Sequence, residues 1–597
     1  MFKISLKKHF KYFKYFYSYL KLKFVFALLI SIVVGFLDGL GLAMFLPLLQ
    51  TMDGGTLTSS EGLGNLNVFI DFVESFGVEF NFNVILLLIL ILFSLKAIFY
   101  LIDGLFNLHV LQLFMVKLRM ESINLFSSYS YGKFVKADSG RIQNTLSTEV
   151  NRVASSFKLY CVTLQYSLFV LVYVTLAFLS NANFVLLLLV GAIITGLAFK
   201  LIYKNTKKHS SSLTNENHVF QGLLIQSVSF FKYLKSTGRF LDFGEKLKKS
   251  IKKIEADNLK IGKVQTIIIA LREPIVLFIV VAVIYVQVNI FEQSLSLILI
   301  SLLLFYRALN YLMVLQAQWN SFLGLSGSLT NVADFVKELK EGKETTSGTL
   351  FTKLNLGIEL EDVKFSYNND DYIINNLNLK INKNTTVAFV GESGSGKTTV
   401  VNILAGLLKT TGGRFSIDGM DSTGLNINSY QNRIGYITQE AVIFDDTIYN
   451  NITFWAEKTP ENIERFWKAL SQASISDFVE LLPLKEDAPL GNNGIMVSGG
   501  QKQRLSIARE LYKEIDILIM DEATSALDSE TERSIQENIE KLKGNYTIII
   551  VAHRLSTIKT ADNIVLMSKG NIEDNGDFKS LIEKNDRFRR IVDLQEL

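Results

Sequence analysis

Six long apolar segments, at about 24–50, 83–107, 154–180, 183–203, 264–289 and 294–318, fill the first half of this 597-residue chain. Each is long enough for a helix to cross a hydrocarbon layer about 30 Å thick. From about residue 356 the pattern changes to short β-rich runs alternating with helical stretches, the mark of an α/β fold. Between the halves, Lys337–Gly348 is polar and charged and reads as linker. The predicted organisation is a basic N-terminal segment at 1–23, a six-helix membrane domain at 24–336, a linker at 337–355 and an α/β domain at 356–597.

Composition sharpens this division. Hydrophobic residues make up 49% of the chain, too many for an ordinary soluble enzyme. The net charge of +4 gives no case for nucleic acid as a partner. Cys161 is the single cysteine and lies in an apolar run, so neither a disulfide framework nor a cysteine metal site is expected. No signal peptide is expected either, because the first apolar stretch is too long and lacks a small-residue cleavage pattern. Residues 2–23 carry seven lysines and no acid among six aromatics from Phe10 to Tyr17, which predicts an interfacial helix at an anionic leaflet.

Charge on the connections sets the orientation. The stretch from 51 to 82 holds Asp53, Glu61, Asp71, Glu74 and Glu79 without Lys or Arg, whereas those near 108–153 and 204–263 are rich in both. The basic connections and both termini are therefore expected in the cytoplasm of a bacterial cell, with the spans in its cytoplasmic membrane. Helical patterning predicts that the membrane helices continue below the bilayer and end in short transverse helices near 131–140 and 222–236.

The chemistry centres on Gly391-Glu392-Ser393-Gly394-Ser395-Gly396-Lys397-Thr398-Thr399, a phosphate-loop pattern between an apparent strand at 386–390 and an apolar helix at 398–408. Glycines let backbone N–H groups converge on phosphate oxygens, the helix presents its N-terminus to the anion, Lys397 neutralises charge and Thr398 offers a hydroxyl to Mg²⁺. A second buried strand ends in Asp521-Glu522, where one carboxylate can hold Mg²⁺ and the next can activate water. Upstream, Ser498-Gly499-Gly500-Gln501 opens a helical pattern and forms a second anion seat.

In this order the motifs resemble the nucleotide-binding domain of ATP-binding cassette (ABC) transporters, over essentially all of 356–597. The resemblance implies that Tyr367 stacks on adenine, that Gln439 is the Q-loop glutamine, a catalytic residue that also contacts Mg²⁺, and that Asp521 and Thr398 complete the metal site. It further implies Val497–Gln501 as the signature motif, Ser525-Ala526-Leu527-Asp528 as the D-loop, Glu522 as catalytic base and His553 as the switch histidine. Val497 stands where the family usually has Leu, and Gly491-Asn492-Asn493-Gly494 where exporters commonly have Gly-Glu-Arg-Gly. Two such domains sandwich two ATP molecules, Ser498, Gly499, Gly500 and Gln501 acting in trans. One membrane domain and one cassette then imply a half-transporter of the exporter type, expected as a homodimer.

Cargo is sought in the charges within the spans, which are costly there and so mark function or structure. Lys96, Arg272 and Arg307 fall at about 20–26 Å from the outer boundary at 1.5 Å per residue, and Asp38 lies at a similar depth. Two readings stay open: a cationic cavity wall for an anionic headgroup, or ion pairs such as Asp38 with Lys96 that fix helix packing. Gly35–Leu48, Leu95–Tyr100, Phe230–Lys235 and Leu304–Leu309 resemble the lipid-linked oligosaccharide flippase of bacterial protein glycosylation. That likeness implies Lys96 and Arg307 in the cavity, serving a lipid pyrophosphate, and an added external helix that would fit 65–74. Lys96 replaces an arginine of that family, and a further basic residue expected after Arg307 is missing. The leading expectation is export of a lipid-linked oligosaccharide or other anionic glycolipid, and the alternative is a multidrug or lipid A type exporter.

Overall fold

The computed structural model describes residues 2–45, 48, 81–180, 182–289, 295–344, 347–368, 371–521, 537, 540–552 and 558–596, with side chains throughout except at 2–10, 43, 177, 179–202, 272, 287–288, 295–304 and 595–596. The expected external helix at 65–74, the D-loop Ser525–Asp528, Glu522 and His553 lie outside the described residues, as does the side chain of Arg272. The chain forms two compact units, 1–129 with 137–342 and 130–136 with 343–597.

The first unit is helical. Its elements are α1 (Phe2–Leu20), α2 (Leu22–Ala43), α3 (Phe82–Ser127), α4 (Val150–Ser180), α5 (Ala182–Ser229), α6 (Phe240–Asn289) and α7 (Leu295–Glu341). Among the described residues, Leu22–Leu42, Phe82–Ser127, Ser139–Leu176 and Phe240–Val286 are long and apolar enough to cross a membrane. The 46 residues of α3 extend about 70 Å at 1.5 Å per residue, more than twice a hydrocarbon core, so the helix continues far beyond its apolar part.

Helix α2 meets α4 through a small-residue face. A Cβ on Gly35 would come within 2.6 Å of Phe169, and one on Gly39 within 2.6 Å of Leu176, so this i, i+4 pair lets the two helices approach closely. Beside that contact, Tyr173 and Leu176 join Ile268, Val276, Phe305 and Met313 in a buried core. A second core is largely aromatic: Phe16 is fully buried against Phe114, Phe157 and Tyr160, with ring centroids 4.9–5.5 Å apart. The aromatic face expected to lie in a lipid interface is thus packed partly on protein, and Lys11, Lys14, Lys21 and Lys23 remain exposed. The reason is spacing, since Tyr12, Phe16 and Tyr19 recur on one helical face.

The connection expected from Lys337 is still helix up to Glu341, where Lys340 reaches Glu121 of α3 at 2.7 Å. Short helices occur at Tyr131–Phe134 and Phe231–Ser236, each shorter than the sequence pattern suggests. The first of them belongs with the second unit.

That unit has two sheets. The six-stranded one runs in the order β10 (Asn571–Gly576), β9 (Asn563–Ser568), β3 (Thr386–Gly391), β8 (Thr547–Val551), β7 (Ile517–Asp521), β6 (Ile434–Ile437), parallel except at the β10 edge. A four-stranded antiparallel sheet holds β2 (Ile374–Asn382), β1 (Gly357–Phe365), β4 (Gly412–Ile417) and β5 (Met420–Asp421). Alternation along β3 serves both faces of its sheet: Val387 and Phe389 enter the core shared with β1, β2 and α8 (Lys397–Leu404), while Ala388 and Val390 enter the core under α9 (Gly499–Tyr512). Both faces are covered, which is why these strands read as continuous apolar runs.

Candidate functional site

The phosphate loop links β3 to α8. Gly391, Gly394 and Gly396 have φ of 149°, 81° and 102°, a backbone that L side chains rarely adopt. Gly391 has no room either, since a Cβ there would lie 2.3 Å from the Met567 carbonyl oxygen. The Lys397 ammonium donates to the carbonyls of Gly391 and Glu392 at 2.7 and 2.9 Å, which holds it across the loop where an anion can recruit it. Thr398 and Ser393 are exposed on the same segment. Gly391→Ala is expected to abolish nucleotide binding and to lower cassette stability by about 1–3 kcal/mol, read by thermal unfolding. Gly394→Ala, with nothing within 4 Å of its Cβ, should cost less.

Asp521 ends β7, one strand removed from β3 because β8 lies between them. The strands are parallel, so the loop and the acid emerge at the same sheet edge, roughly 10 Å apart at about 4.8 Å per strand. Gln439 follows edge strand β6 on the same side and is exposed. A hydroxyl, an amide and one carboxylate suit a hard cation that keeps water and phosphate among its ligands. No group of three or more His, Cys, Asp or Glu that could hold a metal occurs among the described residues.

The 131–134 helix brings residues to Tyr367. Tyr131 and Tyr367 pack against the same buried core, and the Lys136 ammonium donates to the Tyr367 carbonyl. Burial raises the pKa of the Tyr367 hydroxyl, the nearby Tyr131 adds to this, and a hydrogen bond with Thr399 opposes it. Arg587 clamps the loop from far along the chain, 2.7 Å from both Glu392 and Glu573. Sequence patterns gave no hint of Arg587 or Lys136, because no local motif encodes a contact made across so many residues.

Ser498 caps α9 in a reciprocal box: its hydroxyl accepts from the Gln501 N–H, and the Gln501 side chain accepts from the Ser498 N–H at 2.9 Å. The Gln501 side chain is therefore engaged in its own helix start, while Gly499 and Gly500 leave the first turn bare. Just upstream, Lys502 donates to the Asn493 carbonyl at 2.7 Å and steadies the unusual Gly-Asn-Asn-Gly turn.

In the helical unit, Lys96 and Asp38 form an ion pair at 2.5 Å. The Asp38 carboxylate also accepts from Tyr173 at 3.0 Å and Tyr311 at 2.7 Å. The Lys96 charge is therefore matched within the fold, which fits the packing reading of that residue. Arg307 differs: it is exposed and forms no ion pair among the described residues.

Comparison with known proteins agrees with this arrangement. Residues 24–313 match the ABC transporter transmembrane region, and 374–525 match the ABC transporter domain. A lipid A-core flippase of Pasteurella multocida is 30% identical over 475 residues, 77% of this chain and 80% of the relative. This chain is an ABC exporter half-transporter. The heterocyst differentiation ATP-binding protein HepA of Nostoc is 29% identical over 77% of this chain and 76% of its own length. The structure of a bacterial Atm1-family ABC exporter with ATP bound superposes with a TM-score of 0.79 at 21% identity, covering 97% of this chain and all of that one. The exporter is thus an ATP-hydrolysing membrane transporter, a helical transmembrane domain followed by an ABC ATPase domain.

Proposed function

We propose that this exporter works as a homodimer that flips an anionic glycolipid of the lipid A type from the cytoplasmic to the outer leaflet of a bacterial cytoplasmic membrane. The carrying observation is Arg307, an exposed intramembrane cation without an ion pair among the described residues, which would take a headgroup phosphate. Relatives named as lipid A-core flippases favour this cargo over the lipid-linked oligosaccharide that the sequence pattern put first. The pairing of Lys96 with Asp38 also weakens the pyrophosphate belt, because one of its cations is already neutralised.

Lys397 and the loop amides would bind the ATP phosphates, Tyr367 would stack on adenine, and Thr398, Asp521 and Gln439 would hold Mg²⁺. Ser498, Gly499 and Gly500 of a second copy would close over the γ-phosphate. Both termini would be cytoplasmic.

ATP-driven translocation in proteoliposomes tests the cargo, with a phosphorylated lipid A type glycolipid, a polyprenyl-pyrophosphate oligosaccharide and a neutral drug as parallel probes. Arg307→Ala is expected to lower glycolipid transport about tenfold, the worth of one charge-assisted contact, with basal ATPase kept. Glycolipid transport unchanged in Arg307→Ala would remove this residue from the cargo site. Preference for the oligosaccharide probe would restore the other glycolipid reading.

A further inference from the structure

Between α3 and α4 lies a half-open cavity of about 460 Å³ that is separate from the residues proposed for transport. Its apolar wall includes Leu101, Leu105 and Leu108 of α3, which are 57–61% exposed. Asp103 sits in the same wall and is only 4% exposed. This carboxylate accepts from Ser31 at 2.8 Å, from Gln165 at 3.0 Å and from Asn107. Unlike Asp38, it has no Lys, Arg or His paired with it among the described residues. A carboxylate offers about four lone-pair sites, so three neutral donors leave room for one more, and a cationic donor would balance the buried charge. Lys158 also lines the cavity, is exposed and forms no ion pair among the described residues.

Asp103 lies 21 residues into α3, which starts at Phe82, or about 30 Å along the axis at 1.5 Å per residue. With the proposed orientation, that is the headgroup level of the cytoplasmic leaflet. A buried acid, a cation at the rim and an apolar wall match an ammonium, a phosphate and an acyl chain. We infer that this cavity binds a zwitterionic aminophospholipid of the phosphatidylethanolamine type, its ammonium on Asp103, its phosphate on Lys158 and its chain along the leucines. The inference rests on the proposed orientation but not on the identity of the cargo. Phosphatidylcholine shares the charges but has no N–H to donate, so the open lone pair selects against it.

Native mass spectrometry of the purified full-length exporter, delipidated and then offered phosphatidylethanolamine, phosphatidylcholine or phosphatidylglycerol, tests this site. Phosphatidylethanolamine is expected to be retained about tenfold more strongly than the other two, as one hydrogen bond to a charged group implies. Asp103→Asn should bring it to the level of phosphatidylcholine. Gly104→Phe is the second arm: Gly104 lines the cavity and nothing lies within 4 Å of its Cβ, so a bulky side chain there is expected to occupy the space. That variant should keep basal ATPase and lose the selective retention. Equal retention of all three lipids by the wild type, or selectivity that survives in Gly104→Phe, would overturn the inference.

Discussion

Glu522→Gln is expected to leave ATP binding intact and to reduce ATP turnover by about 10²–10⁴-fold, the usual worth of a general base. Asp521 closes β7 at the sheet edge from which the phosphate loop also emerges, and Glu522 follows it in the chain. Glutamine keeps the size and the hydrogen-bonding capacity of the side chain and removes the basic oxygen pair. In the proposed site, nucleotide affinity would rest on Lys397, the loop amides and the aromatic at Tyr367, none of which the exchange alters. Equilibrium binding of labelled ATP and steady-state phosphate release separate the two effects. Turnover within threefold of wild type would assign the base elsewhere.

Loss of the Asp38 carboxylate should be the largest single stability change in the helical unit. Asp38→Ala strands the Lys96 ammonium and two tyrosine hydroxyls that now donate to one buried acid. Breaking one side of a buried pair costs about 3–5 kcal/mol. The lower end applies here, because Lys96 is 30% exposed and can recover some solvation. Removing both charges in Asp38→Ala/Lys96→Met should recover much of the loss, since no charge is then left unmatched. Thermal unfolding in one membrane mimetic gives the cycle. A double variant as unstable as the sum of its singles would show that the pair itself contributes little and that the tyrosine contacts dominate.

The two predictions sit at opposite ends of what sequence reading reaches. Glu522 is proposed from local signals alone, because strand, acid pair and phosphate loop come in a fixed order in the sequence. Lys96 is not: its position in a span reads equally well as a cavity wall or a packing pair, and only the approach of α2, α3, α4 and α7 gathers Lys96, Tyr173 and Tyr311 around Asp38.

By itself the sequence determined the two-part organisation, the membrane helices, the α/β cassette and the nucleotide-binding loop. Each is written in local periodicity or in a contiguous motif, because helix burial, strand burial and phosphate cradling all depend on neighbours in the chain. Tertiary structure decided which charges are matched, that the 131–134 helix packs on the same core as Tyr367, that Arg587 clamps Glu392, and that Asp103 and Lys158 line one cavity. Those outcomes depend on groups tens to hundreds of residues apart meeting at a few ångströms, where desolvation and pairing nearly cancel and geometry alone sets the balance.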